Sequence, residues 1–233
     1  MHPRIIASGL LLAGSVLTLT SVPARSAPEP LLPDLTTLSS YMQQYRVRRK
    51  GRSMLLYFPA AIYNVGRGPL EMLGSRDSRD TEMQGTQVIY DSEGGQQTLD
   101  LGGWEYHTPH RHWHVLDVAA YRLRNSLGQE VGSTPKVSYF LEDTRWIDRT
   151  LPGAPLTKQY RFRGRDRKRT ARSLRTGISV GWADVYDTSV PGQYIDVTGL
   201  PAGQYTLEVE VNPERTLIES NYANNVVSVP VQL

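Results

Sequence analysis

The sequence predicts an all-β protein, an antiparallel β-sandwich with long functional loops and little helix. Its 233 residues include 20 glycines, 15 prolines and 13 tyrosines, a mixture that favours short strands joined by many turns. Residues Gln204–Asn212 alternate between apolar and polar side chains, a period of two that is typical of a half-buried strand. Helical periodicity is weak along the whole chain. The length is enough for one domain with a sizeable core.

The first residues have the pattern of an export signal. An apolar run over residues 5–19 follows a mildly basic start, and small residues precede a cleavage site. We therefore expect a signal peptide at 1–24, a Pro-rich leader at 25–33 and one folded domain at 34–233. An N-terminal membrane anchor is the alternative. No later stretch is apolar for the roughly 18 residues of a membrane helix, so we expect a secreted chain without a membrane span after cleavage.

Further strands are predicted along the domain. They are Met54–Ile62, Gln87–Tyr90, His112–Leu123, Lys136–Leu141 and Val227–Leu233. The first ends at the turn signal Asn64-Val65-Gly66. The last repeats the period of two, and Pro230 in its other phase indicates an edge position. We expect this last strand to pair with Gln204–Asn212.

Composition narrows the chemistry. The chain has no cysteine, so thiolates cannot bind a metal or act as the nucleophile. The net charge of +3 is unevenly placed, because residues 158–175 hold nine Lys or Arg and one Asp. This basic segment is either a solvated loop or a contact with an acidic surface, such as a cell-wall polymer or an acidic protein. Export argues against a nucleic-acid partner.

A cluster of histidines is the strongest chemical signal. Four of the five lie within eight residues, at positions 107, 110, 112 and 114. Residues i, i+2 and i+4 of an extended segment point to one side, so His110, His112 and His114 can approach a shared ion. Three neutral nitrogens without sulfur suit Cu(II), Zn(II) or Fe(II), and imidazole alone does not choose between them. The alternative is a His-rich surface strand with Trp113 packed inward.

Two neighbours are candidates for supporting roles. His107 is out of the i, i+2 phase, so we expect a supporting or acid/base group rather than a ligand. Asp117 falls in the opposite strand phase and would orient a ligand only if the strand twists or bulges there. On residue types alone, the site fits a hydrolase, an oxygenase or an oxidase.

Ordered blocks of sequence make the prediction more specific. They are Leu55–Pro59, Trp104–Asp117, Lys136–Thr144, Gly177–Tyr186, Gln193–Thr198, Val211–Pro213 and Glu219–Val227. Together they resemble the lysyl oxidase family. The second block is similar to its copper-binding signature, and the third and fourth to the segments that hold its cofactor-forming lysine and tyrosine. The resemblance covers nearly the whole chain after about Leu32 and identifies a bacterial-type, cysteine-free member.

The resemblance implies a copper-dependent amine oxidase of the protein-lysine 6-oxidase kind. His110, His112 and His114 would bind Cu²⁺. Lysine tyrosylquinone would form from Lys136 and Tyr186 and would convert primary amines to aldehydes, with O₂ as oxidant and H₂O₂ and ammonia as products. Protein lysines and small amines are both candidate substrates.

The resemblance leaves the catalytic base open. Asp117 and His107 are the first candidates for the group that takes the proton from the substrate carbon. The sequence also departs from animal members of the family. It lacks their disulfides, its segment 145–176 is longer and more basic, and Trp182 and Ala183 differ near the tyrosine, so substrate preference is not carried over.

Two other classes of function stay open. The C-terminal pattern of Asn-Pro, Glu and Asn-Asn also resembles bacterial adhesion domains of the CARDB type, in which case the histidines would be incidental or would store copper. A metal hydrolase that uses zinc-bound water is the second possibility. It would keep its activity after Lys136→Ala.

Overall fold

The computed structural model describes residues 26–108, 112–116, 118–134, 138–164 and 168–233. Strands dominate these ranges, and their single helix, α1 (Ser39–Met42), is one turn long. The all-β prediction is therefore confirmed. Over the same ranges, no helix has the length and hydropathy that a membrane crossing requires. The predicted signal peptide lies outside the described residues.

Eighteen strands build the described part of the fold. In chain order they are β1 (Pro30–Leu31), β2 (Leu35–Thr37), β3 (Arg46–Lys50), β4 (Ser53–Tyr57), β5 (Ala60–Asn64), β6 (Leu70–Ser75), β7 (Met83–Asp91), β8 (Gln96–His107), β9 (His112–Leu116), β10 (Ala119–Arg124), β11 (Glu130–Ser133), β12 (Ser138–Tyr139), β13 (Arg145–Trp146), β14 (Ser173–Ile178), β15 (Trp182–Tyr186), β16 (Tyr194–Asp196), β17 (Gln204–Val211) and β18 (Val226–Gln232). β1 lies within the Pro-rich stretch 25–33 and pairs with β7.

The strands pair antiparallel throughout. The largest sheet has the order β12-β9-β8-β7-β6-β14, with β1 attached to β7. The other sheets have the orders β11-β10-β17-β18, β13-β15-β5-β2 and β16-β4-β3.

The C-terminal hairpin follows the sequence prediction closely. Alternate residues of β17 are buried, and the strand pairs with β18 in a register that places Leu207 opposite Val229. Pro230 lies on β18, which is the edge strand of its sheet. Asn212, which directly follows β17, has a φ of 51°, a left-handed conformation that Asn tolerates better than most residues.

Two predicted strands are each divided, and these predictions were wrong in the same way. Met54–Ile62 becomes β4 and β5, and His112–Leu123 becomes β9 and β10. At each division the chain leaves one sheet and joins another. Pro59, which has no N–H to donate, lies at the first division.

Two other predicted strands have different lengths. Gln87–Tyr90 is only the second half of the longer β7. Within the described residues of the predicted strand Lys136–Leu141, only Ser138 and Tyr139 belong to a strand, β12. The chain then turns toward β14, where the N–H of Gly177 donates to the carbonyl of Leu141 at 3.2 Å.

One main hydrophobic core joins the sheets. It includes buried side chains from each of them, such as Leu56, Ile62, Met72 and Leu207. A row of aromatic rings crosses this core from Phe58 through Tyr121 and Tyr139 to Tyr186, with successive ring centroids 5.4, 6.4 and 5.3 Å apart. The row ends at Tyr186, which the family resemblance predicts to be the cofactor-forming tyrosine.

The basic segment 158–175 is attached to the fold at several points. Tyr160 and Leu174 are buried, and the segment runs into β14. Arg76 donates from Nε to the carbonyl of Ala171 at 2.7 Å. The interpretation of this segment as a solvated loop therefore fits its exposed cations but not its buried side chains.

Candidate functional site

Tyr186 is held on a strand inside the protein. It ends β15, where it pairs with Ala60 of β5, and its side chain is buried. The tight turn before β15 depends on Gly181, which has a φ of 76°. A Cβ at that position would lie 2.1 Å from the carbonyl oxygen of Asp148, so only glycine permits this turn. The turn therefore determines where β15 begins.

The hydroxyl of Tyr186 is bonded to a buried carboxylate. It donates to Oδ2 of Asp184 at 2.5 Å, and it lies 3.4 Å from the carbonyl oxygen of Phe140. Burial raises the pKa of Tyr186 well above the usual value, and the charge of Asp184 raises it further. The phenol is therefore protonated at neutral pH and has a proton acceptor in direct contact.

The short strand β12 lies beside this tyrosine. The ring of Tyr139 meets that of Tyr186 edge-on, with an interplanar angle of 82°. Lys136 precedes β12 by two positions in the chain and lies outside the described residues. Tyr186 thus contacts β12, a segment close to Lys136 in the chain, although Tyr186 and Lys136 are distant in sequence.

β12 also pairs with the histidine-bearing strand. In the register of β12 and β9, Ser138 lies opposite Leu116 and Tyr139 lies opposite Val115. His112 and His114 belong to β9, with Trp113 and Val115 buried between and after them. The segment after Lys136 therefore runs between the histidine strand on one side and Tyr186 on the other.

The hairpin of β8 and β9 brings a fourth histidine position into register. The backbone of His107 pairs with that of His112, and Glu105 pairs with His114. Because His107 is on a different strand, counting i, i+2 along the chain does not establish its phase relative to His112. The register, which is not visible in the sequence, makes His107 a direct neighbour of His112 on β9.

The predicted metal ligands are only partly covered. His110 and Asp117 lie outside the described residues, and the side chains of His107, His112 and His114 are not among those described. Among the side chains that the structure does describe, no group of three His, Asp or Glu has the arrangement of a metal site. The copper site therefore remains a prediction from the sequence and its family resemblance.

Trp113 attaches the histidine strand β9 to Tyr106, Arg76 and the basic segment. Its ring packs edge-on against Tyr106 at 5.5 Å and lies 4.8 Å from the guanidinium of Arg76. Its indole N–H donates to the carbonyl of Lys168 at 3.3 Å. The alternative interpretation, a His-rich surface strand, correctly predicted that Trp113 is buried. A strand that carries metal ligands is expected to bury this residue in the same way.

Asp143 joins the segment after β12 to the loop before β15. Its carboxylate is fully buried and accepts hydrogen bonds from the N–H groups of Gln159, Tyr160 and Ser179 at 2.8, 3.2 and 2.8 Å. It also accepts from the hydroxyl of Ser179 at 2.8 Å. One side chain thus connects three segments around the site.

Thr144 makes the next connection. Its N–H and its hydroxyl both donate to the carbonyl of Ala183, and the same hydroxyl oxygen accepts from the N–H of Val185 at 2.6 Å. Asp143, Thr144 and Asp184 were all within the blocks that carry the family resemblance, yet sequence reasoning assigned them no role. Only the hydrogen bonds across elements identify them.

Comparison with known proteins identifies the family of this chain. A family model described as Lysyl oxidase matches residues 92–233, more than half of the chain. Lysyl oxidase homolog 2 of Gallus gallus is 37% identical over 125 residues, which are 53% of this chain and 14% of that protein. Lysyl oxidase homolog 1 of Homo sapiens is 32% identical over 126 residues, which are 53% of this chain and 19% of that protein.

A longer match has lower identity. Lysyl oxidase homolog 4 of Homo sapiens is 29% identical over 178 residues, which are 76% of this chain and 18% of that protein. The chain therefore spans less than a fifth of the length of each of these relatives. The region that the family model matches, residues 92–233, includes the histidine hairpin, β12 and β15.

Proposed function

Since the chain belongs to the lysyl oxidase family, we propose that it is a secreted copper-dependent amine oxidase that uses a quinone formed from its own Lys136 and Tyr186. One observation carries the proposal. β12 begins two residues after Lys136 and pairs with the histidine strand β9, and Tyr139 of β12 and the adjoining Phe140 both contact Tyr186. The covalent chain limits how far Lys136 can lie from β12, because two residues span at most about 7 Å.

The donor set suits the proposed groups. His110, His112 and His114 would hold Cu²⁺, for which imidazole nitrogens are common ligands. When present, copper would supply the redox centre for O₂ and the lysine tyrosylquinone the electrophilic carbonyl for oxidation of a primary amine to an aldehyde, with H₂O₂ and ammonia as further products.

The residues around Tyr186 have roles that follow from their contacts. Asp184 accepts a hydrogen bond from the hydroxyl of Tyr186, so it is the natural base for forming the phenolate, which is more easily oxidised than the phenol. The buried position excludes bulk water from the ring. Asp117 and His107 remain our candidates for the base that acts on the substrate carbon.

The amine is proposed only as a class. Protein lysines and small primary amines are the candidates, with O₂ as co-substrate. Export through residues 1–24 is part of the proposal, as is contact of the basic segment 158–175 with an acidic surface.

The lysine provides the most direct test. The full chain is expressed with copper and air, and we expect a coloured protein that reacts with phenylhydrazine and yields a cross-linked peptide joining Lys136 and Tyr186. Lys136→Ala should abolish the cross-link, the phenylhydrazine adduct and H₂O₂ release with amines. Lys158→Ala, which removes a partly exposed lysine elsewhere in the chain, is the matched control and should behave like the wild type.

Each outcome separates the competing functions. Amine oxidation that survives Lys136→Ala would exclude the quinone. A cross-link that forms without copper would exclude the metal from its formation. A hydrolytic activity that requires zinc and ignores Lys136→Ala would support the hydrolase instead.

A further inference from the structure

The outer strand of the smallest sheet concentrates positive charge. β3 has the sequence Arg46-Val47-Arg48-Arg49-Lys50, and Arg52 follows in the turn to β4. All five cations are exposed, and residues 35–70 contain no Asp or Glu. Within the part of the chain that the structure describes, none of the five forms an ion pair. The charge of this strand is therefore directed at solvent.

Carboxylates are scarce in the rest of this sheet. Across the strands β16, β4 and β3, the one carboxylate is Asp196 on β16, two strands away from β3. That carboxylate already accepts the N–H of Thr198 at 2.9 Å. An acidic partner of β3 would thus meet no competing carboxylate on β3 or β4.

The geometry of β3 arranges the charges in a row. Arg46, Arg48 and Lys50 share one strand phase. They line a groove whose other lining residues are Arg49, Tyr57 and Thr188. β3 is an edge strand, and among the described strands it pairs with β4 alone. The N–H and C=O groups of its outer edge therefore face no other described strand.

We infer that β3 and its groove, the basic edge, dock an extended acidic polypeptide segment that adds to the sheet as a further strand. Alternate residues of an added strand are spaced about 6.6–6.8 Å apart, which is also the spacing along the row of cations. Asp or Glu at every second position would face that row while the two backbones pair.

The positive charge of β3 also disfavours pairing of this edge with basic strands. A second copy of β3 would bring like charges together, so the row that attracts an acidic strand prevents self-pairing of the edge. An acidic polysaccharide would use the charges but leave the backbone edge unpaired. A polypeptide is the partner that satisfies both features. This binding does not depend on the proposed oxidase activity.

The first measurement compares two labelled peptides of the same composition by fluorescence anisotropy with the full chain. One alternates Glu and Thr, and the other has all its Glu before all its Thr. We expect the alternating peptide to bind at least about 3-fold more tightly, because only its carboxylates all share one phase. Its affinity should fall about 10-fold or more between about 20 and 200 mM salt. Equal affinity for both peptides would overturn the inference.

Paired variants locate the surface. Arg46→Glu/Arg48→Glu should weaken binding of the alternating peptide by about 10-fold or more. Lys158→Glu/Arg161→Glu makes the same change of charge in the basic segment, on the partly exposed Lys158 and the exposed Arg161, and should alter binding by less than about 2-fold. Circular dichroism checks that both variants are folded. Similar losses in both would indicate a response to net charge alone and would contradict a site at β3.

Backbone pairing is tested separately. An alternating peptide with N-methyl groups on the amides that face β3 keeps its charge but cannot donate those hydrogen bonds. We expect it to lose most of its affinity. Full binding by the methylated peptide, or equal binding by an anionic polysaccharide of matched charge, would show a charge surface without strand addition and would overturn the inference.

Discussion

Two buried tyrosines of this protein are superficially alike. Tyr160 donates its hydroxyl to Oε2 of Glu71 at 2.7 Å, and Tyr186 donates to Oδ2 of Asp184 at 2.5 Å. Burial raises the pKa of both tyrosines, and in each case the neighbouring carboxylate raises it further. On residue type, burial and hydrogen bonding, either one resembles a reactive site.

Their surroundings separate them. Arg175 donates to the same oxygen of Glu71 at 2.6 Å, and its guanidinium lies 4.5 Å from the ring centroid of Tyr160. That arrangement neutralises the carboxylate and holds the basic segment on the sheet. Tyr186 instead contacts β12, which leads to Lys136 and pairs with the histidine strand. A buried tyrosine with a carboxylate is thus a site only where the fold brings a reaction partner to it.

The largest expected contrast is in cofactor formation. Tyr186→Phe should abolish the phenylhydrazine adduct and the cross-linked peptide completely, because no phenol is left to oxidise. Tyr160→Phe should retain both in copper-loaded protein. Visible spectra and peptide mass spectrometry give the readout. Loss of the adduct in a folded Tyr160→Phe variant would remove the distinction between the two tyrosines.

The next contrast concerns the two carboxylates. Asp184→Asn should slow quinone formation by about 10²–10⁴-fold at neutral pH, the usual worth of a positioned base. The rate should recover as the pH rises, because hydroxide can then replace the carboxylate. Glu71→Gln is the control and should leave the rate unchanged. A slow rate that does not respond to pH would mean that Asp184 only supports the structure.

Asp143 connects the region of Tyr160 to the loop before the strand of Tyr186, since it accepts hydrogen bonds from the N–H groups of Tyr160 and Ser179. Asp143→Ala should lower the free energy of unfolding by about 3 kcal/mol or more, because each buried donor left without a partner costs about 1–3 kcal/mol. Urea denaturation measures this. Asp187→Ala removes an exposed carboxylate bonded to Ser189 alone among the contacts seen, and its effect should be much smaller. Equal effects would contradict the role of Asp143 as a junction.

The smallest effect is one that the two tyrosines share. Their folded-state pKa values lie above the unfolded value of about 10, so the stability they contribute is present below pH 10 and is lost as the pH rises above it. The loss is at most about 1.4 kcal/mol per pH unit for each tyrosine. In copper-free protein, Tyr160→Phe and Tyr186→Phe should each reduce the alkaline loss measured by urea unfolding. No change in either variant would contradict the raised pKa values.

Prediction from sequence succeeded where local pattern and burial agree. The alternation in Gln204–Asn212 and the position of Pro230 anticipated β17, β18 and the edge of their sheet. Prediction of strand boundaries failed where the chain passes from one sheet to another within a continuous apolar stretch, as at Phe58 and Pro59. Period and composition do not record which sheet a strand joins, because both sheets bury the same kinds of side chain.

The sequence by itself determined the all-β class, the absence of thiol chemistry, the clustered histidines and the family. These depend on residue type, on spacing along one segment and on ordered motifs. Only the tertiary structure decided that His107 pairs with His112, that β12 runs between β9 and Tyr186, and that Asp184 accepts a hydrogen bond from the phenol. Such contacts join residues that lie on different strands. Strand register and sheet order, which are set by the packing of the whole core, determine them.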